Sequence, residues 1–321
     1  MKDFLDYDIK YPDLIRKLIV FFSKNETKKT IMDFCNSFKV SEGSEKIQPD
    51  IVGRICERLC NMRKLICIQR EGFGYTNFSY YATPLDSNNN DILTHYFNSC
   101  VYGFEYIYRS YKERTIPIIA SMNGEQTMGT CFKIFDGIAT AKHCLENGTI
   151  AIKGYTKKQL DSFKVFISNN PNIDLAYIKT GEKYYYNNAE PHVLDNVIVM
   201  GYPKLPFFIN FCTGEKANIS AMADLRFTPT MGSIVANAEL YYPKSLPKML
   251  LITAKIKGGN SGGPVVNEEG FVVGITTDIP AGQGNSDDNV GYGIAYPIKA
   301  LVDVINGNDT MKPTFTDYPK D

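Results

Sequence analysis

The stretch GGNSGGPVV at residues 258–266 surrounds a single serine, Ser261, with four glycines and one asparagine. Such a run is costly to order, because glycine loses more conformational freedom on folding than any other residue. It is expected where the backbone turns sharply and directs N–H groups at a ligand. A phosphate-binding loop would instead need a lysine, then serine or threonine, then a helix. Here Val265, Val266 and the apolar run 271–275 predict a β-hairpin.

Two further segments carry side chains that complement this serine. The segment ATAKHC at residues 139–144 follows an apolar run and contains His143. The segment NIDLAYI at residues 172–178 places Asp174 at the start of another apolar run. Taken singly, the histidine is typical of a structural group and the aspartate of a turn residue. Together with Ser261 they supply a nucleophile, a base and an acid that can orient the base.

These segments resemble the trypsin-like serine peptidases, which have the chymotrypsin fold. TAKHC at 140–144 is similar to the family's histidine motif, and DLA at 174–176 to its aspartate motif. GNSGGP at 259–264 is similar to its nucleophile motif, and GTCF at 129–132 to the start of the strand before the histidine. The resemblance covers about residues 112–305 and implies an all-β, chymotrypsin-like double β-barrel.

The resemblance also implies a role for each residue. Ser261 would be the nucleophile, His143 the general base and acid, and Asp174 the group that fixes the histidine tautomer. The backbone N–H groups of Gly259 and Ser261 would form the oxyanion hole. No cofactor is implied, and the sequence contains no CxxC pair, so a metal site is not expected.

One departure from trypsin concerns activation. Asn260 stands where trypsin has an aspartate that pairs with an N-terminus released by cleavage. An amide cannot form that ion pair, so activation by N-terminal processing is not expected. Asparagine at this position is similar to the HtrA (DegP-like) and glutamyl-endopeptidase branches of the family, and VGYGIAYP at 290–297 is similar to the end of an HtrA protease domain.

Four residues of the sequence bear on substrate preference. In the family, the residue six before the nucleophile helps form the pocket floor, and here that residue is Lys255. The strand that pairs with the substrate would include Thr276 and Thr277, with Asp278 next. A buried Lys255 would favour an acidic substrate side chain. Alternatively, Asp278 neutralises the lysine, or the lysine points away from the pocket.

The region before residue 110 has a different pattern. Three amphipathic helices are predicted, followed by two strand-like runs at 65–69 and 75–82. This order resembles a winged helix-turn-helix over residues 11–84. The sequence therefore predicts a multidomain α+β protein with a winged-helix-like adaptor domain at 1–88, a connecting helix at 89–111, a trypsin-like serine protease domain at 112–305 and a C-terminal tail at 306–321.

Charge bears on the partner of the first domain. The chain has 35 Lys and Arg against 35 Asp and Glu, and residues 1–90 have 14 against 12. Affinity for DNA depends on neutralising phosphates, so a nearly neutral module is a poor DNA binder. The sequence favours a protein activator or partner that docks on residues 1–90. DNA contact and a purely structural cap are the alternatives.

The N-terminus and the cysteines bear on localisation. Asp3, Asp6 and Asp8 are the opposite of a secretory signal, and no apolar run is long enough for a membrane span. Eight cysteines in a large chain without such a signal are expected to be reduced thiols. In secreted relatives the position of Cys144 is bridged, but the partner position falls near Met128, so that bridge is not expected. These features predict a cytoplasmic protein with no membrane partner.

The leading functional prediction is a serine endopeptidase that acts on a protein or peptide and is regulated by its N-terminal adaptor. This architecture resembles effector proteases of bacterial antiphage defence systems. The alternative is a winged-helix DNA-binding regulator whose protease domain cleaves itself or a co-regulator. A third hypothesis, a scaffold without activity, is disfavoured because all three triad members and both oxyanion-hole residues are present.

Overall fold

The fold comes from a computed structural model. It describes residues 14–23, 29–38, 47–61, 64–70, 77–82, 90–146, 148–184, 188–203, 226–238, 248–277 and 292–319. Contacts divide the chain into two units, one ending at Leu93 and the other beginning at Thr94. Among the helices of these ranges, none combines the length and apolarity that a membrane span requires.

The N-terminal unit has three helices followed by a two-stranded antiparallel sheet. The helices are α1 (Leu14–Ser23), α2 (Ile31–Ser37) and α3 (Pro49–Asn61), and the strands are β1 (Leu65–Gln69) and β2 (Ser79–Ala82). This is the predicted order of elements. The assignment of the unit to the winged-helix family stays a prediction.

Sequence periodicity and capping explain these helices. Residues at helical spacing form the buried face of α1, among them Leu14, Leu18 and Phe22. Helix α2 begins with a capping box: the Thr30 hydroxyl accepts a hydrogen bond from the Asp33 amide at 3.2 Å, and the Asp33 carboxylate accepts one from the Thr30 amide at 2.8 Å. The helices therefore start where their backbone donors find side-chain partners.

Helix α4 (Asn90–Lys112) spans the division between the units and is kinked at Gly103, where φ is 62° and ψ is −150°. That backbone conformation is accessible essentially only to glycine. On the C-terminal side of the division, the helix packs against the turn at Gly270. His95 Nε2 lies 2.9 Å from the Gly270 carbonyl oxygen, and Tyr111 donates a hydrogen bond to the same oxygen at 3.1 Å.

The C-terminal unit contains a seven-stranded sheet ordered β14-β6-β7-β4-β3-β5-β15, in which β14 is Thr310–Met311 and β15 is Thr314–Phe315. Its first five strands are β3 (Thr115–Met122), β4 (Glu125–Thr140), β5 (Thr149–Ile152), β6 (Lys164–Ile167) and β7 (Ala176–Tyr184), with the short helix α5 (Lys157–Ser162) before β6. Apolar side chains on one face of the sheet form a core that includes Ile118, Ile150 and Ile178.

Six further strands form a closed barrel in the order β10-β13-β12-β11-β8-β9. They are β8 (Asn196–Gly201), β9 (Thr228–Ala238), β10 (Met249–Ile252), β11 (Pro264–Asn267), β12 (Val272–Thr276) and β13 (Gly293–Pro297). A helical N-terminal region followed by a β-rich region with a closed barrel confirms the predicted fold class. Of the two predicted barrels, the second is closed and the first is the seven-stranded sheet.

The C-terminal segment is not a simple tail, which corrects the prediction for residues 306–321. After helix α6 (Ile298–Gly307), strand β14 (Thr310–Met311) pairs with β6, and strand β15 (Thr314–Phe315) pairs with β5. Strands β6 and β5 would otherwise be the two edges of the first sheet. Because an edge strand carries unpaired backbone groups, one short segment satisfies donors and acceptors at both edges.

We predict that Phe315→Ala destabilises the protein by about 3–5 kcal/mol, the usual cost of truncating a buried phenylalanine. Phe315 is buried in the core of the first sheet, whereas its neighbour Thr314 is exposed. Urea unfolding of both alanine variants measures the difference. A loss of stability at Phe315 no larger than that at Thr314 would show that the segment does not hold the sheet.

Candidate active site

Pairing between two strands of the first sheet brings His143 and Asp174 together. His143 lies in a short 3₁₀ turn, Lys142–Leu145, directly after β4, and Asp174 lies two residues before β7. In the antiparallel pair of β4 and β7, Thr140 faces Ala176. The end of one strand therefore lies beside the beginning of the other, and the two polar side chains meet there.

The carboxylate of Asp174 accepts three hydrogen bonds from described residues. Its Oδ2 atom lies 2.6 Å from Nδ1 of His143, and Oδ1 accepts the His143 backbone N–H at 2.8 Å. The hydroxyl of Thr277 donates to Oδ2 at 2.7 Å. Because one carboxylate holds both the ring and the backbone of His143, the orientation of the imidazole is fixed.

The pKa values of the two groups shift in opposite directions. Burial by itself would raise the pKa of Asp174, but hydrogen bonds from His143 and Thr277 lower it below its ordinary value. Burial by itself would lower the pKa of His143, but the hydrogen bond to Asp174, with smaller contributions from Cys144, raises it above its ordinary value. The carboxylate is therefore ionised at neutral pH and stabilises the imidazolium.

Ser261 lies on the glycine-rich loop that precedes β11. The Asn260 amide donates to the Lys257 carbonyl at 2.9 Å, which closes a four-residue turn. Gly259 is the third residue of that turn and has a φ of 97°. A type II turn needs a positive φ at its third residue and therefore favours glycine there. This turn type fixes the orientation of the peptide group between Gly258 and Gly259.

Two carbonyl groups of this loop accept hydrogen bonds from the first sheet. Two of its N–H groups have no acceptor among the described residues. The Gly259 carbonyl accepts a hydrogen bond from the Thr130 hydroxyl at 2.7 Å, and the Ser261 carbonyl accepts one from the Thr130 amide at 2.9 Å. Within the part of the chain that the structure describes, the amides of Gly259 and Ser261 donate no hydrogen bond. Two donors are thus available side by side.

The hydroxyl of Ser261 is buried and has no hydrogen-bond partner among the described residues. The hydrogen bond between this hydroxyl and His143 is therefore not formed in this structure. Such catalytic hydrogen bonds are commonly long in unliganded enzymes and tighten when substrate binds. The loop itself is close-packed: a Cβ atom at Gly262, where φ is 84°, would lie 2.2 Å from the Thr130 carbonyl oxygen.

The predicted substrate residues have other contacts in the structure. Thr276 is fully buried, and its hydroxyl donates a hydrogen bond to the Asn260 carbonyl at 2.5 Å. This side chain therefore supports the glycine-rich loop around Ser261. The Thr277 hydroxyl donates to Asp174, and pairing of this strand with a substrate stays a prediction. Lys255 is exposed, which corrects the hypothesis of a buried lysine at the pocket floor. Asp278 lies outside the described residues.

One residue of the site was missed by the sequence analysis. The hydroxyl of Tyr296 accepts a hydrogen bond from the Asp174 backbone amide at 3.2 Å and donates one to the Asn172 carbonyl at 3.1 Å. Tyr296 belongs to β13 of the barrel, more than 100 residues after Asp174 in the chain. No local sequence pattern connects residues at that separation, although 290–297 was recognised as similar to the HtrA branch.

The cysteine next to the histidine contacts the same loop. Cys144 is buried and free, and its Sγ atom lies 3.7 Å from the Ser261 carbonyl oxygen. Gly129 abuts this thiol so closely that a Cβ atom there would lie 2.4 Å from Sγ. The seven cysteines within the described ranges form no disulfide, and Cys212 lies outside these ranges.

Part of this chain is similar in sequence to a known plant protease. The chain is 25% identical over 173 residues to the chloroplastic Protease Do-like 2 of Arabidopsis thaliana, which covers 51% of this chain and 25% of that protein. The chain thus spans about a quarter of the curated relative's length.

Similar solved structures include the active form of the Rv3671c protease from M. tuberculosis, with 19% identity, 65% of this chain and 88% of that chain covered, and a TM-score of 0.46. The serine endoprotease from Yersinia pestis has 23% identity, with 62% and 64% covered and a TM-score of 0.42.

The family model of the trypsin-like peptidase domain matches residues 129–275. That range begins at Gly129, which abuts the thiol of Cys144, and ends one residue before Thr276. It contains His143, Asp174 and the complete nucleophile loop. Residues 129–275, slightly less than half of the chain, therefore match a trypsin-like peptidase domain.

Proposed function

We propose that this chain is a serine endopeptidase with Ser261 as the nucleophile, His143 as the general base and Asp174 as the partner that orients the base. The observation that carries the proposal is the 2.6 Å contact between His143 and Asp174 beside two unpaired amide donors on the serine loop. The family match over residues 129–275 supports the same chemistry.

The geometry assigns the proton transfer to one atom of His143. Nδ1 faces the Asp174 carboxylate, so Nε2 is the nitrogen left to accept the Ser261 proton. The serine oxygen then forms a bond to the carbonyl carbon of the substrate. The negative charge that develops on the carbonyl oxygen is stabilised by the amides of Gly259 and Ser261, each typically worth about 10²–10³ in rate.

The tetrahedral intermediate formed by this attack then breaks down, and the proton that His143 took from Ser261 is used in that step. The carbon–nitrogen bond breaks, the His143 imidazolium gives its proton to the leaving amine, and an acyl ester of Ser261 remains. Water then attacks the ester with His143 as base, and the acid product leaves. Asp174 stays ionised throughout and stabilises the imidazolium, in keeping with the lowered pKa of its carboxyl group.

The proposal includes regulation by the N-terminal unit. Strand β1 exposes Ile66 and Ile68, which are 55% and 59% accessible and lie on the same face of the strand. Neighbouring exposed apolar side chains mark surfaces for protein contacts, and the balanced charge of residues 1–90 favours a protein partner over nucleic acid. We propose that the protein is a defence effector of the bacterial cytoplasm whose basal peptidase activity is increased by a protein activator.

A fluorophosphonate probe tests the nucleophile. We predict that the probe labels the wild-type chain and not Ser261→Ala, because only a serine activated by an adjacent base reacts readily with it. Gel fluorescence and mass spectrometry of the labelled peptide locate the modification. Ser162→Ala is the matched control, since Ser162 is an exposed serine of the same unit and its loss leaves labelling intact. A wild-type chain that resists the probe, or a label on another residue, would contradict the assignment.

The labelling rate should depend on pH through His143. Protonated His143 cannot accept the serine proton, and its pKa is raised, so labelling should accelerate as pH rises through a midpoint above 6.5. In Asp174→Asn the interaction that raises this pKa is lost and burial lowers it. The midpoint should then move to lower pH, and the maximal rate should fall by about 10⁴-fold. Labelling rate constants measured from pH 5 to 10 on the wild-type chain and on Asp174→Asn test this prediction. A midpoint that is the same in the two proteins would contradict it.

A further inference from the structure

A groove of about 360 Å³ opens beside His143 and runs along the first sheet. One wall is a single face of the β3–β4 ribbon. Because side chains alternate along strands, this face is built from three cross-strand pairs, Ile118 with Gly129, Ala120 with Thr127 and Met122 with Glu125. The opposite side is formed by His143, Cys144, Gly258 and Gly259.

The register gives the groove a direction. Its inner end is at Gly129, next to the Ser261 carbonyl and the thiol of Cys144. Its outer end is the pair Met122 and Glu125, next to the tight turn of the hairpin at Asn123 and Gly124. Glu125 is four residues from Gly129 along β4, which corresponds to about 13 Å in an extended strand.

The groove lies on the leaving-group side of the scissile bond, an assignment that rests on the proposed peptidase activity. The acyl half of a substrate would pair with the chain that follows Thr276, in the second barrel. The described residues that line the groove include none from β12 or β13. They do include His143, the group that protonates the leaving amine. The residues after the scissile bond therefore enter this groove.

We propose that Glu125 selects substrates with a lysine or arginine shortly after the scissile bond. Glu125 is the one carboxylate among the described residues that line the groove, and it forms no ion pair with any described residue. Its cross-strand partner Met122 is apolar, and Ile118 and Met128 line the groove further toward its inner end. Lysine and arginine match this arrangement, since each carries an alkyl stem and a terminal cation.

Distance restricts the position of the basic residue. An extended substrate advances about 3.3–3.6 Å per residue, and the stem of a lysine or arginine spans about two such steps. A cation that meets Glu125 about 13 Å from Gly129 then belongs to the second or third residue after the scissile bond. Glu125 is exposed, and exposed ion pairs are weak, so the expected preference is about 2–5-fold.

The test is cleavage of a diverse mixture of synthetic peptides by the full-length chain, with cut sites identified by mass spectrometry. We expect lysine and arginine to be enriched about 2–5-fold at the second or third position after the cut. Glu125→Gln should abolish this enrichment, and Glu125→Lys should replace it with enrichment of aspartate and glutamate. Asp303→Asn is the matched control, because it removes one exposed carboxylate that does not line the groove and leaves the preference unchanged.

The possible outcomes separate this proposal from the proposed function. Cleavage without a basic preference at these positions, or a preference that survives in Glu125→Gln, overturns the role of Glu125 and leaves the peptidase assignment standing. A chain that neither cleaves any peptide nor reacts with the fluorophosphonate overturns both. A shift of the same size in Asp303→Asn attributes the preference to the net charge of the protein and overturns the role of Glu125.

Discussion

The site depends on the contacts that Thr130 makes across the two β structures of the C-terminal unit. Thr130 is fully buried on β4, and its amide and hydroxyl donate hydrogen bonds to the carbonyls of Ser261 and Gly259. Its own carbonyl accepts from the Thr140 hydroxyl at 2.8 Å. Thr130 therefore connects the glycine-rich loop around Ser261 to β4, the strand that ends shortly before His143. With these two carbonyls directed at Thr130, the amides of Gly259 and Ser261 donate no hydrogen bond within the part of the chain that the structure describes.

A second constraint is the partly buried charge of Asp174. A buried carboxylate is costly unless hydrogen bonds compensate for the loss of water. Here the compensating donors come from both β structures, with His143 after β4 and Thr277 after β12. Tyr296 of the barrel also holds the backbone amide of Asp174. The partly buried carboxylate therefore has all of its hydrogen-bond donors only when the two structures are assembled, which couples folding to the formation of the site.

The sequence predicted the parts of this protein whose signals are local. Helical spacing placed the three N-terminal helices, and the glycine-rich motif placed the loop around Ser261, because both patterns reflect interactions within a few residues. It did not predict the contacts of the C-terminal segment. Strands β14 and β15 have two residues each and no hydrophobic alternation, so only their pairing with β6 and β5 identifies them as strands.

The sequence by itself determined the motifs around His143, Asp174 and Ser261, which are specific as a set and predict which residues carry the chemistry. Only the tertiary structure decided how the neighbouring residues serve that chemistry. Thr276 and Thr277, predicted to belong to the strand that pairs with the substrate, direct their hydroxyls to the glycine-rich loop and to Asp174. Lys255 is exposed. The physical reason is that a side chain's direction depends on strand register and on distant hydrogen-bond partners, which no short stretch of sequence encodes.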